Sequence, residues 1–134
     1  MQVLMDTGPW VALIDRSEDR HEGCSQWFRQ FSGTIYSTEA VLTEVLYLLN
    51  FSSIAQSAAL DFILKGAMTL VPSSHESLAR VKRLMEKYRN VPMDYADATL
   101  VSLAEETSIQ HIVTFDNHFN IYRLPSRRSF NLLP

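Results

Sequence analysis

A chain of 134 residues with a hydrophobic share of 46% can build a sizeable core and fits a single domain spanning residues 1–134. The lone cysteine, Cys24, excludes an internal disulfide and a cysteine-rich zinc site, and the absence of a basic leader or a membrane-length apolar run points to a cytoplasmic protein with no membrane association. A formal charge of −3 speaks against a polyanionic partner unless some acids are neutralised by a ligand of their own.

Val3-Leu4-Met5 reads as a short strand ended by Asp6, and Thr7-Gly8-Pro9 as a tight turn that puts Pro9 at the first position of a helix. Cys24, Trp27, Phe28 and Phe31 at helical spacing predict a second helix from about Asp19 to Phe31, closed by Gly33. Thr34-Ile35-Tyr36-Ser37 reads as a strand. Thr38 is a plausible N-cap for a helix reaching about Asn50, which Val41, Leu42, Val45, Leu46, Leu48 and Leu49 make apolar nearly all round. Ser53 is read as the cap of a helix from Ile54 to Lys65 closed by Gly66, and Met68 to Val71 as a strand stopped by Pro72. Ser73 with Glu76 has the spacing of a capping box for a helix running to about Tyr88. After the break at Pro92, a helix is expected from Met93 to about Thr107, then a strand at His111-Ile112-Val113-Thr114, and last an edge strand at Ile121 to Leu124 that Pro125 ends. Short apolar strands alternating with helices predict an α/β fold: a doubly wound, three-layered domain with a central parallel sheet flanked by helices.

Four acids interrupt this apolar pattern. Asp6 and Asp116 close strand-like runs. Glu44 is surrounded at helical spacing by Ala40, Val41, Tyr47 and Leu48, and Asp97 precedes Leu100, Val101 and Ala104 on its own face. Singly, each has a plain structural reading: a turn acceptor for Asp6, a turn start with Asn117 for Asp116, a helix-start acid for Asp97, an arginine partner for Glu44. Together they would need four separate compensating partners, whereas one divalent cation at the carboxyl end of the sheet satisfies them all. Oxygen ligands select Mg²⁺ or Mn²⁺ over zinc, and the matching chemistry is phosphodiester hydrolysis. With those four of the 15 acids set aside, 11 face 12 bases, and Arg80, Lys82, Arg83, Lys87, Arg89, Arg123, Arg127 and Arg128 lie in the last part of the chain. They are read either as a basic rim around an acidic pocket or as scattered solvated charges. The four histidines have no metal-ligand spacing among themselves, and neither a P-loop nor a glycine-rich dinucleotide turn is present.

Val3-Leu4-Met5-Asp6-Thr7, Thr38-Glu39-Ala40-Val41-Leu42-Thr43-Glu44, the run from Met93-Asp94-Tyr95-Ala96-Asp97 to Ala104, and Ile112-Val113-Thr114-Phe115-Asp116-Asn117-His118-Phe119 carry a resemblance to the PIN-domain ribonucleases. The chain resembles in particular the toxins of Vap-type toxin–antitoxin pairs. That resemblance implies a PIN-like fold, Mg²⁺- or Mn²⁺-dependent endonucleolytic cleavage of RNA, a cognate antitoxin and a homodimer. It makes Asp6, Glu44, Asp97 and Asp116 the metal ligands and catalytic residues, and makes the hydroxyls of Thr7 and Thr114 contacts to those ligands or to phosphate. Asp94 either ligates through water or orients the site, or is an exposed helix-start acid. Where many relatives carry a further acid, this chain has Asn117 and His118. The apolar helix from Val41 to Leu49, with Trp27 and Phe28, is read mainly as core and secondarily as partner surface. Two other functions stay open: a metal-dependent phosphatase of small esters, and a non-catalytic PIN-like interaction module.

Overall fold

Val3, Leu4 and Met5 have no exposed surface, and burial on both faces makes β1 (Gln2–Met5) the central strand of the protein. The computed structural model describes residues 1–134. On one side β1 pairs in parallel with β2 (Thr34–Thr38), which pairs with β3 (Thr69–Val71). On the other side it pairs with β4 (His111–Val113), and beyond that lies β7 (Asn131–Leu133), so the order is β3-β2-β1-β4-β7 and every pairing is parallel. The register sets Leu4 beside Ile112 and Met5 beside Val113. The chain therefore winds outward from β1 in one direction and later returns to its other side. The gap between β1 and β4 is the topological switch point, where side chains beyond the strand ends face an open crevice.

Parallel crossovers need covering elements, and six helices supply them. α1 (Thr7–Ile14) and α2 (His21–Gln30) link β1 to β2; α3 (Glu39–Leu48) and α4 (Ser53–Leu64) link β2 to β3; α5 (His75–Lys87) and α6 (Tyr95–Thr107) link β3 to β4. α1 packs on α2, α3 and α4, α5 packs on α6, and α3 touches α6 as well. The small and aliphatic run Ala98, Leu100, Val101 and Ala104 is fully buried, which lets α6 lie close to the sheet with α5 outside it.

Several local expectations shift. No turn separates β1 from α1: Asp6 is the N-cap, the helix begins at Thr7, and Pro9 sits inside the first turn, where an amide has no intrahelical partner to lose. α4 is capped by Ser52 in place of Ser53. The capping box of α5 is Ser74 with Ser77, one residue beyond the expected Ser73 and Glu76, because a serine hydroxyl closes the reciprocal bond as well as a carboxylate does. α6 starts at Tyr95 under Asp94, two residues later than expected. The largest correction is at the end of the chain. Arg123–Leu124 (β5) pairs antiparallel with Arg128–Ser129 (β6) in a separate small hairpin, turned by Ser126 and Arg127 at positive φ, while the outer strand of the main sheet is β7. The apolar α3 divides: Val41, Val45 and Leu49 are buried, and Tyr47 and Leu48 are exposed. Trp27 and Phe28 are half-buried, one stacked on Phe31 and the other edge-on to Phe62.

Candidate functional site

Asp6 sits where β1 ends and α1 begins, so its carboxylate serves the helix and faces the switch point at once. Its Oδ1 accepts the Thr7 amide at 2.8 Å and its Oδ2 accepts the Thr114 hydroxyl at 2.7 Å, while its own amide donates to the Val113 carbonyl at 3.0 Å. Only 8% of the residue is exposed. Burial raises its pKa above the ordinary aspartate value; the bonds from Thr114 and Thr7 oppose that rise, and Asp116 and Asp94 add to it.

Thr7 joins two acids, because its hydroxyl donates to Glu44 Oε1 at 2.7 Å while its amide holds Asp6. Glu44 projects from α3 and is half-buried. Its pKa is raised, first by burial against the opposing Thr7 bond, then by the neighbouring Asp94 and by Asp6.

Asp94 and Asp97 form the capping box that starts α6: the Asp97 amide donates to Asp94 Oδ1 at 2.8 Å and the Asp94 amide to Asp97 Oδ2 at 3.2 Å. Asp97 is pushed up to about 8 by burial, then by Asp94, Asp6 and Asp116, with the Asp94 backbone bond opposing. Asp94 is both an exposed helix-start acid and a neighbour of Glu44 and Asp6. Asp116 follows β4 and caps the turn Asn117–Asn120. Its Oδ1 accepts the His118 amide at 2.9 Å and lies 2.7 Å from His118 Nδ1. The Thr114 hydroxyl that bonds Asp6 also accepts the Asp116 amide at 3.0 Å. Asn117 is exposed, and its side chain makes no hydrogen bond to these groups, so His118 is the residue of that pair that joins them.

Tyr122 escapes sequence reading, where it is one aromatic in a run resembling an edge strand. It is fully buried, and its hydroxyl donates to the Pro92 carbonyl. Its pKa is raised by burial and then by Asp97, Asp116, Asp94 and Asp6, so an uncharged phenol lies close to the acids and ties the approach to α6 to the segment after Asp116.

Neither Asp6, Glu44, Asp94 nor Asp97 has a Lys, Arg or His nitrogen within 4.0 Å, and Asp116 has only His118. The acids do not form a closed cage: no group of three or more His, Cys, Asp or Glu is gathered tightly enough to hold an ion with the side chains as they stand. Like charges explain the arrangement, since each carboxylate has turned to its nearest donor, Thr7, Thr114, His118 or a capping amide, rather than toward its neighbours. An all-oxygen set with raised pKa values and no internal cation fits a hard divalent ion, and Glu44, Asp94, Asp97 and Asp116 retain the exposure to rotate onto one. Arg80 is tied into α6 and Lys82 to Glu86, and Arg83 and Lys87 line, with Arg80, a separate hollow of about 180 Å³ that contains none of these acids.

The PIN domain family model matches residues 3–124. A curated relative, ribonuclease VapC26 of Mycobacterium tuberculosis, is 25% identical over 135 residues, covering 98% of this chain and 100% of the relative. Among solved structures, VapC20 of Mycobacterium tuberculosis, a sarcin-ricin loop cleaving toxin, is similar with a TM-score of 0.79 at 20% identity over 86% of this chain and 90% of that one. VapBC2 from Rickettsia felis, bound to a DNA fragment from its promoter, gives 0.69 at 17% identity over 100% of both chains. The matched span runs from the strand before Asp6 past Asp116 to Leu124 and takes in four of the five strands of the main sheet: the chain belongs to the PIN domain family.

Proposed function

We propose that this chain is a Mg²⁺- or Mn²⁺-dependent endoribonuclease that hydrolyses RNA phosphodiester bonds in the cytoplasm as the toxin of a toxin–antitoxin pair. The observation that carries this reading is a group of five carboxylates, drawn from four separate segments to one switch point, with no lysine or arginine to balance them. The relative that is a ribonuclease over the full length of the chain supports it. Asp6, Glu44, Asp97 and Asp116 are the residues proposed to hold the ion, with Asp94 beside Glu44 as an auxiliary oxygen. When bound, such an ion supplies a low-pKa water, neutralises charge at the phosphoryl oxygens and stabilises the leaving oxygen. Asp6 is the fixed member of the set, held from two sides by Thr7 and Thr114. Because both threonine hydroxyls already donate to carboxylates, they aim ligands rather than contact phosphate. His118 holds Asp116 in the same way. No helix of the chain is long and apolar enough to cross a membrane. The antitoxin and a second copy of the chain are the proposed partners, supported by the toxin–antitoxin assemblies among similar folds and by exposed Tyr47, Leu48, Phe51, Ile54 and Leu64 on and between α3 and α4.

The test is RNA cleavage by purified protein with MgCl₂, MnCl₂ or chelator. Cleavage is expected only with metal, and Asp6→Asn or Asp116→Asn should lower it on the order of 100-fold or more, since even residues that only support ligands are worth about 10 to 100-fold. Cleavage that persists in chelator, or an Asp6→Asn variant as active as wild type, rejects the reading. Hydrolysis of a small phosphate ester with RNA left intact would turn it to a phosphatase.

A further inference from the structure

We propose that Arg20, seated over the Phe115 ring beside the carboxylate group, is the contact for an RNA backbone phosphate adjoining the one that is cut. The proposal rests on the endoribonuclease reading. The guanidinium carbon of Arg20 lies 4.3 Å from the Phe115 ring centroid. A Cβ added at Gly8 would stand 2.9 Å from Phe115 Cδ2, so the ring lies directly against the glycine of the first turn of α1, which forms its seat. Gly8, Phe115 and Arg20 thus make one stack rooted between the elements that present Asp6 and Asp116.

Arg20 is exposed, has no carboxylate oxygen within 4.0 Å and makes no side-chain hydrogen bond, whereas Arg29, Lys65, Arg80 and Lys82 are each paired with an acid. Stacking orders a guanidinium and leaves its N–H edges free, and that planar fork matches phosphate oxygens. The location is specific as well. A cavity of about 280 Å³ is walled by Arg20, Cys24, Thr114 and Phe115, with Asp19 and Pro134 also on its border. Thr114 is the residue whose hydroxyl bonds Asp6, so the free cation opens onto the wall that also holds the central acid. A polyanion approaching five carboxylates meets repulsion, and one ordered cation at the border draws the strand into register.

Binding of a labelled single-stranded RNA is compared for Asp6→Asn protein and for Asp6→Asn with Arg20→Ala, each across a salt series. The added substitution should weaken binding about 10-fold and flatten the log–log salt slope by about 0.7, the value for one phosphate contact on a single strand. Arg20→Lys should keep the slope and recover only part of the affinity. Replacing single phosphates by uncharged methylphosphonates should locate one position whose loss weakens the arginine protein and adds nothing in Arg20→Ala. In the active protein Arg20→Ala should raise KM with kcat little changed. Unchanged affinity and slope overturn the phosphate contact while leaving the nuclease reading intact. Absence of RNA binding by the Asp6→Asn parent overturns both. A matched melting temperature for the arginine and alanine proteins confirms that any loss is not one of folding.

Discussion

Two functions of Asp97 oppose each other. Its side chain accepts the Asp94 amide to start α6, and burial among like charges raises its carboxyl from 3.8 to about 8. Between those values the folded chain holds a proton that the unfolded chain releases. The stability attached to this group is therefore complete below about pH 4 and declines as pH rises toward 8. Asparagine keeps an oxygen for the cap and removes the charge. Asp97→Asn should melt about 3 to 5 °C above wild type at pH 8 without metal, match it at pH 4, and lose metal-induced stabilisation, as read by thermal melts; solvent screening of a half-exposed carboxylate keeps the gain to order 1 kcal/mol. A marked fall in apo melting temperature would mean that the cap bond outweighs the repulsion. Asp6, Glu44, Asp97 and Asp116 stand out in the sequence because each breaks an apolar pattern. His118 was marked only by standing two residues after Asp116, and Tyr122 was not marked at all, since the direction of a side chain leaving an irregular segment has no periodic trace in the sequence.

The element that carries Asp97 is braced from outside. Arg80 of α5 is mostly buried, and its Nε donates to Ser102 Oγ of α6 at 3.1 Å, its Nη2 to Glu106 at 3.3 Å, while Nη1 lies 3.6 Å from Glu76. Arg80→Met keeps the apolar stem and leaves the buried Ser102 hydroxyl without this partner. The loss should be about 1 to 3 kcal/mol, seen as a drop of roughly 3 to 10 °C by circular dichroism. A drop under about 1 °C would show that the brace contributes nothing. Read from sequence, Arg80 was one of several bases of either a rim or a set of scattered solvated charges; burial makes it a tie between helices. The helices themselves were legible from caps and apolar spacing, with starts displaced by a residue or two because adjacent serines offer equivalent caps. β7 was missed because Asn131–Leu133 is too short to show alternation, and its neighbour β4, distant in sequence, is what makes it a strand.

Across the whole molecule, alternation of strands and helices was enough to foretell a parallel sheet, but not the order of its strands, which depends on packing between segments far apart. That order gives the acids their common location: reversal about β1 sets the ends of β1 and β4 side by side, and α3 and α6 bring Glu44, Asp94 and Asp97 to the same end. The molecule thus folds against a concentrated negative charge, and a divalent ion that binds there should relieve the strain. In wild type without metal, melting temperature should fall from pH 5 to pH 8 as Asp97, raised to about 8, loses its proton, and the raised pKa values of Asp6 and Glu44 act in the same direction. Mg²⁺ at about 100 times its Kd should add about 2.7 kcal/mol. The gain at a fixed Mg²⁺ concentration should be larger at pH 8 than at pH 5, because protons compete with the ion for the same oxygens. Melts in MgCl₂ against NaCl of equal ionic strength make the comparison, and the downward slope with pH should flatten only in MgCl₂. Identical melting in the two salts at both pH values would reject the metal centre while leaving the fold intact.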